Sequence, residues 1–170
     1  MRSGDFSLRA LYAALDAQRR ARGLSWSEAT QEMNGHAGRP SGHRLSPSTV
    51  TGTRTRAVAE GDGVLQMLRW LHRTPESFVP GHRESGDGER LPDVPSHHTL
   101  RFDTKRLHAA LMAQRIEREL TWSEVAQEVG IGVSSLTHLS HGGRTAFPQV
   151  MRIVRWLDRP AAQFTRTSNW

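Results

Sequence analysis

Residues 6–34 reappear without a gap as residues 102–130. Identical pairs include Phe6/Phe102, Leu11/Leu107, Leu15/Leu111, Gln18/Gln114, Arg19/Arg115, Leu24/Leu120, Trp26/Trp122, Glu28/Glu124 and Glu32/Glu128. Residues 45–78 then match residues 131–164, pairing Ser48/Ser134, Thr51/Thr137, Val64/Val150, Arg69/Arg155, Trp70/Trp156, Leu71/Leu157 and Phe78/Phe164. A chain that writes one pattern twice is expected to fold as two copies of one small unit. Between the matching blocks the register slips by ten residues, so the first copy carries an insertion, Gly35–Arg44.

Each copy reads as four or five helices. The first runs over about Ser7–Arg22, with Leu8, Leu11, Tyr12 and Leu15 at helical spacing, and its counterpart over about Asp103–Arg118, with Leu107 and Leu111. The second opens at Ser25-Trp26-Ser27-Glu28 and at Thr121-Trp122-Ser123-Glu124. Both have the S/T-x-x-E form that satisfies the first unpaired N–H groups of a helix. The third begins near Ser46-Pro47, an N-cap followed by proline, and near Gly132. A fourth covers about Asp62–His72 and Pro148–Leu157, and a short fifth element is expected at Thr74-Pro75 and at Pro160. No segment alternates with period two, so strands are not expected.

Residues 121–144 give this pattern a sharper meaning. Val125, Ala126 and Val129 place apolar groups on one helical face, and Gly130 sits where the chain must stop the helix and turn. Ser134–Leu139 start again, with Leu136 and Leu139 directed inward, until Gly142-Gly143. Two short helices joined by such a turn are the helix-turn-helix arrangement. In detail the stretch resembles the Cro/C1 type (XRE family), whose form is L-T-Q-x-x-L-A-x-x-x-G-V-S-x-x-x-I-x-x-x-E-x-G. The residues that carry the resemblance are Leu120, Thr121, Trp122, Val125, Ala126, Gly130, Ile131, Gly132, Leu136, Ser140 and Gly142, with Trp122 and Ser140 replacing the usual Gln and Glu. The resemblance covers about 60 residues of each copy. It implies an all-α chain of two tandem lambda-repressor-like domains of four to five helices, over 1–80 and 99–170, joined by a flexible linker over 81–98. It also implies sequence-dependent binding of double-stranded DNA by a bacterial transcription regulator in the cytoplasm, at the nucleoid.

On that reading the second helix of the motif offers its outer face to base edges. In the second copy this face holds Val133, Ser134, Thr137 and His138; His138 suits a purine N7 or a guanine O6, and Val133 a thymine methyl. The matching positions of the first copy are Pro47, Ser48, Thr51 and Gly52, and Gly52 offers nothing to a base. Arg54 and Arg56 follow where the family touches phosphate, the insertion adds Arg39 and Arg44, and Arg144 closes the second motif. Two readings of the first copy stand: it grips backbone or minor groove through these arginines, or it is a degenerate repeat kept for packing. Trp26 and Trp122 occupy a position at which the family commonly binds phosphate. An indole N–H can donate there, while the bulk of the ring suits packing across the end of the first helix. Arg19 and Arg115 match a family arginine near phosphate whose usual acidic partner is replaced here by Arg54 and Ser140.

Composition limits the alternatives. Cysteine is absent, which excludes disulfides and thiolate metal sites. No apolar run approaches the roughly 18 residues of a spanning helix. Net charge is +6, and Lys105 is the only lysine. By segment the charge is +4 over 1–80, −2 over 81–98 and +4 over 99–170, so the positive charge lies on the repeats. Such a balance favours a polyanionic partner. Gly130-Ile131-Gly132 is half of a dinucleotide fingerprint, but Ser135 holds the third glycine position and a helix precedes it where a strand is required. His138 and His141 lie three apart with no acid or cysteine at useful spacing, and no catalytic motif is present, so neither metal, cofactor nor enzyme activity is expected. The Gly-, Pro-, Ser- and His-rich stretch Val79–Leu100, which contains that linker, is about 22 residues long and has an r.m.s. span of roughly 26 Å, and half-sites lie about 34 Å apart. One chain is therefore expected to cover an asymmetric operator as a monomeric pseudo-dimer, with a homodimer of chains as the other arrangement. The alternative function is a protein-interaction module of antitoxin or developmental-regulator type, with a regulatory protein as partner.

Overall fold

The computed structural model describes residues 5–35, 44–81, 88–95 and 97–169. The chain is mostly helical. Helices α1 (Leu8–Ala21), α2 (Trp26–Asn34), α3 (Pro47–Gly52) and α4 (Gly61–Leu71) lead to a 3-10 turn at Pro75–Phe78. After strand β1 (His98–Phe102) come α5 (Thr104–Glu117), α6 (Trp122–Val129), α7 (Val133–His138), a 3-10 continuation at Leu139–His141 and α8 (Phe147–Trp156). A 3-10 turn at Ala161–Phe164 and strand β2 (Thr165–Asn169) follow. No described helix is long and apolar enough to cross a membrane.

The helix starts follow from local chemistry. Ser7 and Asp103 cap α1 and α5 by accepting from Ala10 N and Arg106 N. Ser25 with Glu28, and Thr121 with Glu124, close complete capping boxes on α2 and α6. Ser46 caps α3, whose first residue is Pro47. Buried apolar residues recur at helical spacing: Leu8, Leu11 and Leu15 on α1; Val64, Leu65, Leu68 and Leu71 on α4; Val150, Ile153 and Val154 on α8.

The expectation of no strands is corrected. β1 pairs antiparallel with β2, Leu100 opposite Thr167 and Phe102 opposite Thr165. Period-two patterning fails here for a physical reason. Thr99 and Leu100, adjacent in β1, are both buried. β2 is polar throughout and half exposed. A strand covered on both faces and a polar edge strand each lack the apolar–polar alternation of a half-buried strand. Before β1, Leu91 is buried and Val94 packs against the core.

The same side chains hold the same joints in both halves. Gln18 Nε2 donates to Trp70 O at 2.9 Å, and Gln114 Nε2 to Trp156 O at 3.1 Å. The Trp70 indole donates to Glu32 at 2.9 Å and the Trp156 indole to Glu128 at 2.7 Å. Arg22 and Arg118 complete these joints by pairing with Glu32 and Glu128. The indole donors, with the guanidinium groups behind them, hold both carboxyls below the usual glutamate range.

The halves meet on equivalent surfaces. Gly61 N donates to Thr145 O at 2.9 Å, and Phe147 N donates to Ala59 O at 2.9 Å. In the repeat Ala59 corresponds to Thr145, and Gly61 to Phe147. Each half therefore gives the other the bond that it receives, the reciprocity of an isologous interface. α4 packs on α8, and the turn at Pro75–Phe78 packs on that at Ala161–Phe164, again equivalent on equivalent.

The side chains at this seam are deliberately unequal. Phe147 is fully buried, with its ring 4.6 Å from Phe6 and 5.4 Å from Phe102. Its counterpart Gly61 has no side chain; a Cβ there would stand 2.8 Å from the Phe102 ring and 3.0 Å from Thr145 O. One large and one absent side chain fill a space that two phenylalanines would overfill and two glycines would leave void. Arg152 adds a two-pronged pair to Asp5 at 2.8 and 3.1 Å and donates to Gly130 O at 2.9 Å. Glu76 accepts from Ala161 N at 2.8 Å. Burial pushes the Asp62 carboxyl up, and Arg101, 3.7 Å away, only partly offsets this.

Candidate nucleic-acid interface

α6 and α7 form the motif of the second half. Gly130, at φ 76°, ends α6 in the left-handed region, which a β-carbon disfavours. The chain re-enters a helix one residue past Gly132, and Leu136 and Leu139 are buried beneath it. Val133, Ser134, Thr137 and His138 all face outward, Val133 with 39% of its surface exposed. Thr137 Oγ1 lies 3.2 Å from Val133 O and from Ser134 O, so its proton is held within the helix. Its oxygen and methyl remain to meet a partner as acceptor and apolar contact. The His138 and His141 rings stand 5.4 Å apart.

α2 and α3 form the corresponding motif of the first half, with the insertion between them. Asn34 spans its ends: Nδ2 donates to Leu45 O at 2.9 Å and Oδ1 accepts from Leu45 N at 2.7 Å. The amide acts as a surrogate peptide that fixes where α3 begins. Asn34→Ala is expected to lower stability by about 1–3 kcal/mol, from two lost bonds of about 1 kcal/mol each, measured by urea denaturation. A loss below about 0.3 kcal/mol would show that the clamp contributes nothing. On α3, Ser48 is exposed, Thr51 and Gly52 are half-buried, and Val50 and Thr53 are buried.

The remaining positions sort by environment. Arg44, Arg54 and Arg56 are exposed; Arg39 falls within residues 36–43, outside the described residues. Arg144 is 58% exposed and lies 3.2 Å from Glu60 across the seam. An exposed pair of this kind contributes about 0–1 kcal/mol, so phosphate can compete for Arg144. Arg19 and Arg115 turn inward. Arg19 binds Asp16 at 2.6 Å and Leu24 O at 2.7 Å, while Arg115 donates to Leu120 O at 2.9 Å. Each lies over the neighbouring indole, at 4.8 Å from Trp26 and 5.2 Å from Trp122. Those indoles also stack, Trp26 on Tyr12 and Trp122 on His108. In both halves these side chains brace the joint between the first two helices. Burial, with the charge of His141 adding to it, holds His108 below the ordinary imidazole range.

Lys105 joins this surface although its place in the sequence did not single it out. It is exposed at the start of α5, and its Cε would lie 2.9 Å from a Cβ placed on Gly142. Thr104 of the same turn reaches Gly143 O at 3.3 Å. The contact joins residues far apart in sequence, so no local pattern announces it.

Comparison of the chain with protein families, curated proteins and solved structures returned no match.

Proposed function

We propose that the chain binds double-stranded DNA in a sequence-dependent way, as a bacterial transcription regulator of the Cro/C1 type working at the nucleoid. Its two tandem lambda-repressor-like units form a single-chain pseudo-dimer. The observation that carries this reading is α7. A short helix entered through a left-handed glycine presents Ser134, Thr137 and His138 outward from a buried Leu136/Leu139 face. That is the disposition needed to enter a major groove. The reciprocal bonds between 59–61 and 145–147 support the pseudo-dimer, because two half-sites of a duplex are related by the same two-fold operation. Exposed Arg54, Lys105 and Arg144 supply positive charge toward phosphate. The outer faces differ, with Gly52 where the second half has His138, so the operator is asymmetric.

The test is selection from a random duplex library at physiological salt, with wild type and His138→Ala side by side. Wild type is expected to enrich one motif of two unlike half-sites. The variant should relax one base position by roughly 5- to 150-fold, the equivalent of one good base contact. Uniform weak retention of all duplexes, unchanged by the substitution, would sink the proposal. Salt-insensitive capture of a protein would then favour the interaction-module reading.

A further inference from the structure

We infer that Arg56 is the base-reading residue of the first half, its guanidinium lying over Gly52 where the second half presents His138, and that its ligand is the major-groove edge of a guanine. This inference rests on the DNA-binding reading above. Residues 45–78 match 131–164, so Gly52 and His138 hold one register position. Read from sequence, Gly52 leaves that position blank. The structure fills it. Arg56 N donates to Gly52 O at 3.0 Å, which carries the helical turn one step past α3 and puts Arg56 on the face of Gly52. A long side chain on such a turn covers the turn that precedes it. A Cβ on Gly52 would lie 3.0 Å from Arg56 Nε, 3.1 Å from Cζ and 3.5 Å from Cδ. The missing side chain is therefore the seat of the guanidinium.

Three further observations fit a reader better than a brace. The seat lies on the outward side of α3, in line with exposed Ser48 one turn earlier and opposite buried Val50 and Thr53. Among the described residues the Arg56 guanidinium has neither hydrogen bond nor ion pair, whereas Arg19 and Arg115 are held by carbonyl groups. Arginine is also the side chain whose two-pronged donor geometry matches guanine O6 and N7. His138 offers a single ring donor at the equivalent place, so the two half-sites should differ there in how strictly guanine is required.

The experiment is the same duplex selection with full-length wild type, Arg56→Lys and Gly52→Ala. Lysine keeps the charge and can still bind phosphate, but it loses the two-pronged geometry. Alanine at 52 occupies the seat and makes the guanidinium give by a few tenths of an ångström, while favouring the helix, because its propensity exceeds that of glycine. Wild type should require guanine at one position of the first half-site. Both variants should relax that requirement by roughly 5- to 150-fold, with the second half-site unchanged and the melting temperature of Gly52→Ala unchanged or raised. A selected motif whose guanine preference survives in both variants would overturn the assignment and leave the DNA-binding reading standing. Wild type that selects no motif would overturn both.

Discussion

Replacing Phe147 with alanine is expected to lower the stability of the whole chain by about 3–5 kcal/mol, the usual cost of emptying a fully buried aromatic site. The ring contacts Phe6 from the first half and Phe102 at the end of β1, so its loss opens the seam on which both halves close. Unfolding should remain one transition, because the buried side chains of both halves form one cluster. Gly61→Ala tests the other side of the seam. Gly61 opens α4, so an added methyl gains less than the roughly 1 kcal/mol of helix propensity available in a helix interior, and it meets Phe102 at 2.8 Å and the Thr145 carbonyl at 3.0 Å. Overpacking of this kind costs about 1–3 kcal/mol, so the variant should be no more stable than wild type. Guanidinium denaturation followed by tryptophan fluorescence measures both. Two separate transitions in wild type, only one of them moved by Phe147→Ala, would show that the seam does not couple the halves.

Affinity for duplex DNA is expected to fall by about 40-fold when salt rises fourfold. Arg54, Lys105 and Arg144 are exposed around the two motifs. If each neutralises one phosphate, three released counterions give a log–log slope of about −2.7. Replacing all three with glutamine should flatten that slope toward zero and weaken every duplex alike, since phosphate contacts carry no base information. Selectivity at the positions attributed to His138 and Arg56 should survive. Fluorescence-anisotropy titrations across a salt series decide the matter. A slope near zero for wild type would remove the electrostatic footing of the proposal.

The helices were legible because their signals are short. A capping box spans four residues, and Ser25–Glu28 and Thr121–Glu124 close as their spacing requires. The outward set Val133, Ser134, Thr137 and His138 was legible for the same reason: burial of Leu136 and Leu139 orients every neighbour on a six-residue helix. For Arg19 and Arg115, the absence of an acid at positions 54 and 140 left two outcomes open, phosphate or a partner elsewhere; within the structure Asp16 and Leu24 O take Arg19, Leu120 O takes Arg115, and each lies over an indole. A charged side chain beside an unpaired carbonyl finds it before solvent does.

The sequence by itself determined the duplication, the helix order, the caps and the two sides of α7, since each is set by residues within about one or two turns of one another. Only the tertiary structure decided how the halves join. Amphipathic faces on α4 and α8 declare that something must cover them, without saying that each covers the other. The choice came from shape at one point, where Gly61 makes room for the rings that Phe147 holds. β1 and β2 likewise exist through their partners, since a strand buried on both faces carries no alternation to read. Arg56 over Gly52 belongs with these. A glycine codes for space, and what fills that space depends on the direction of a side chain four residues away.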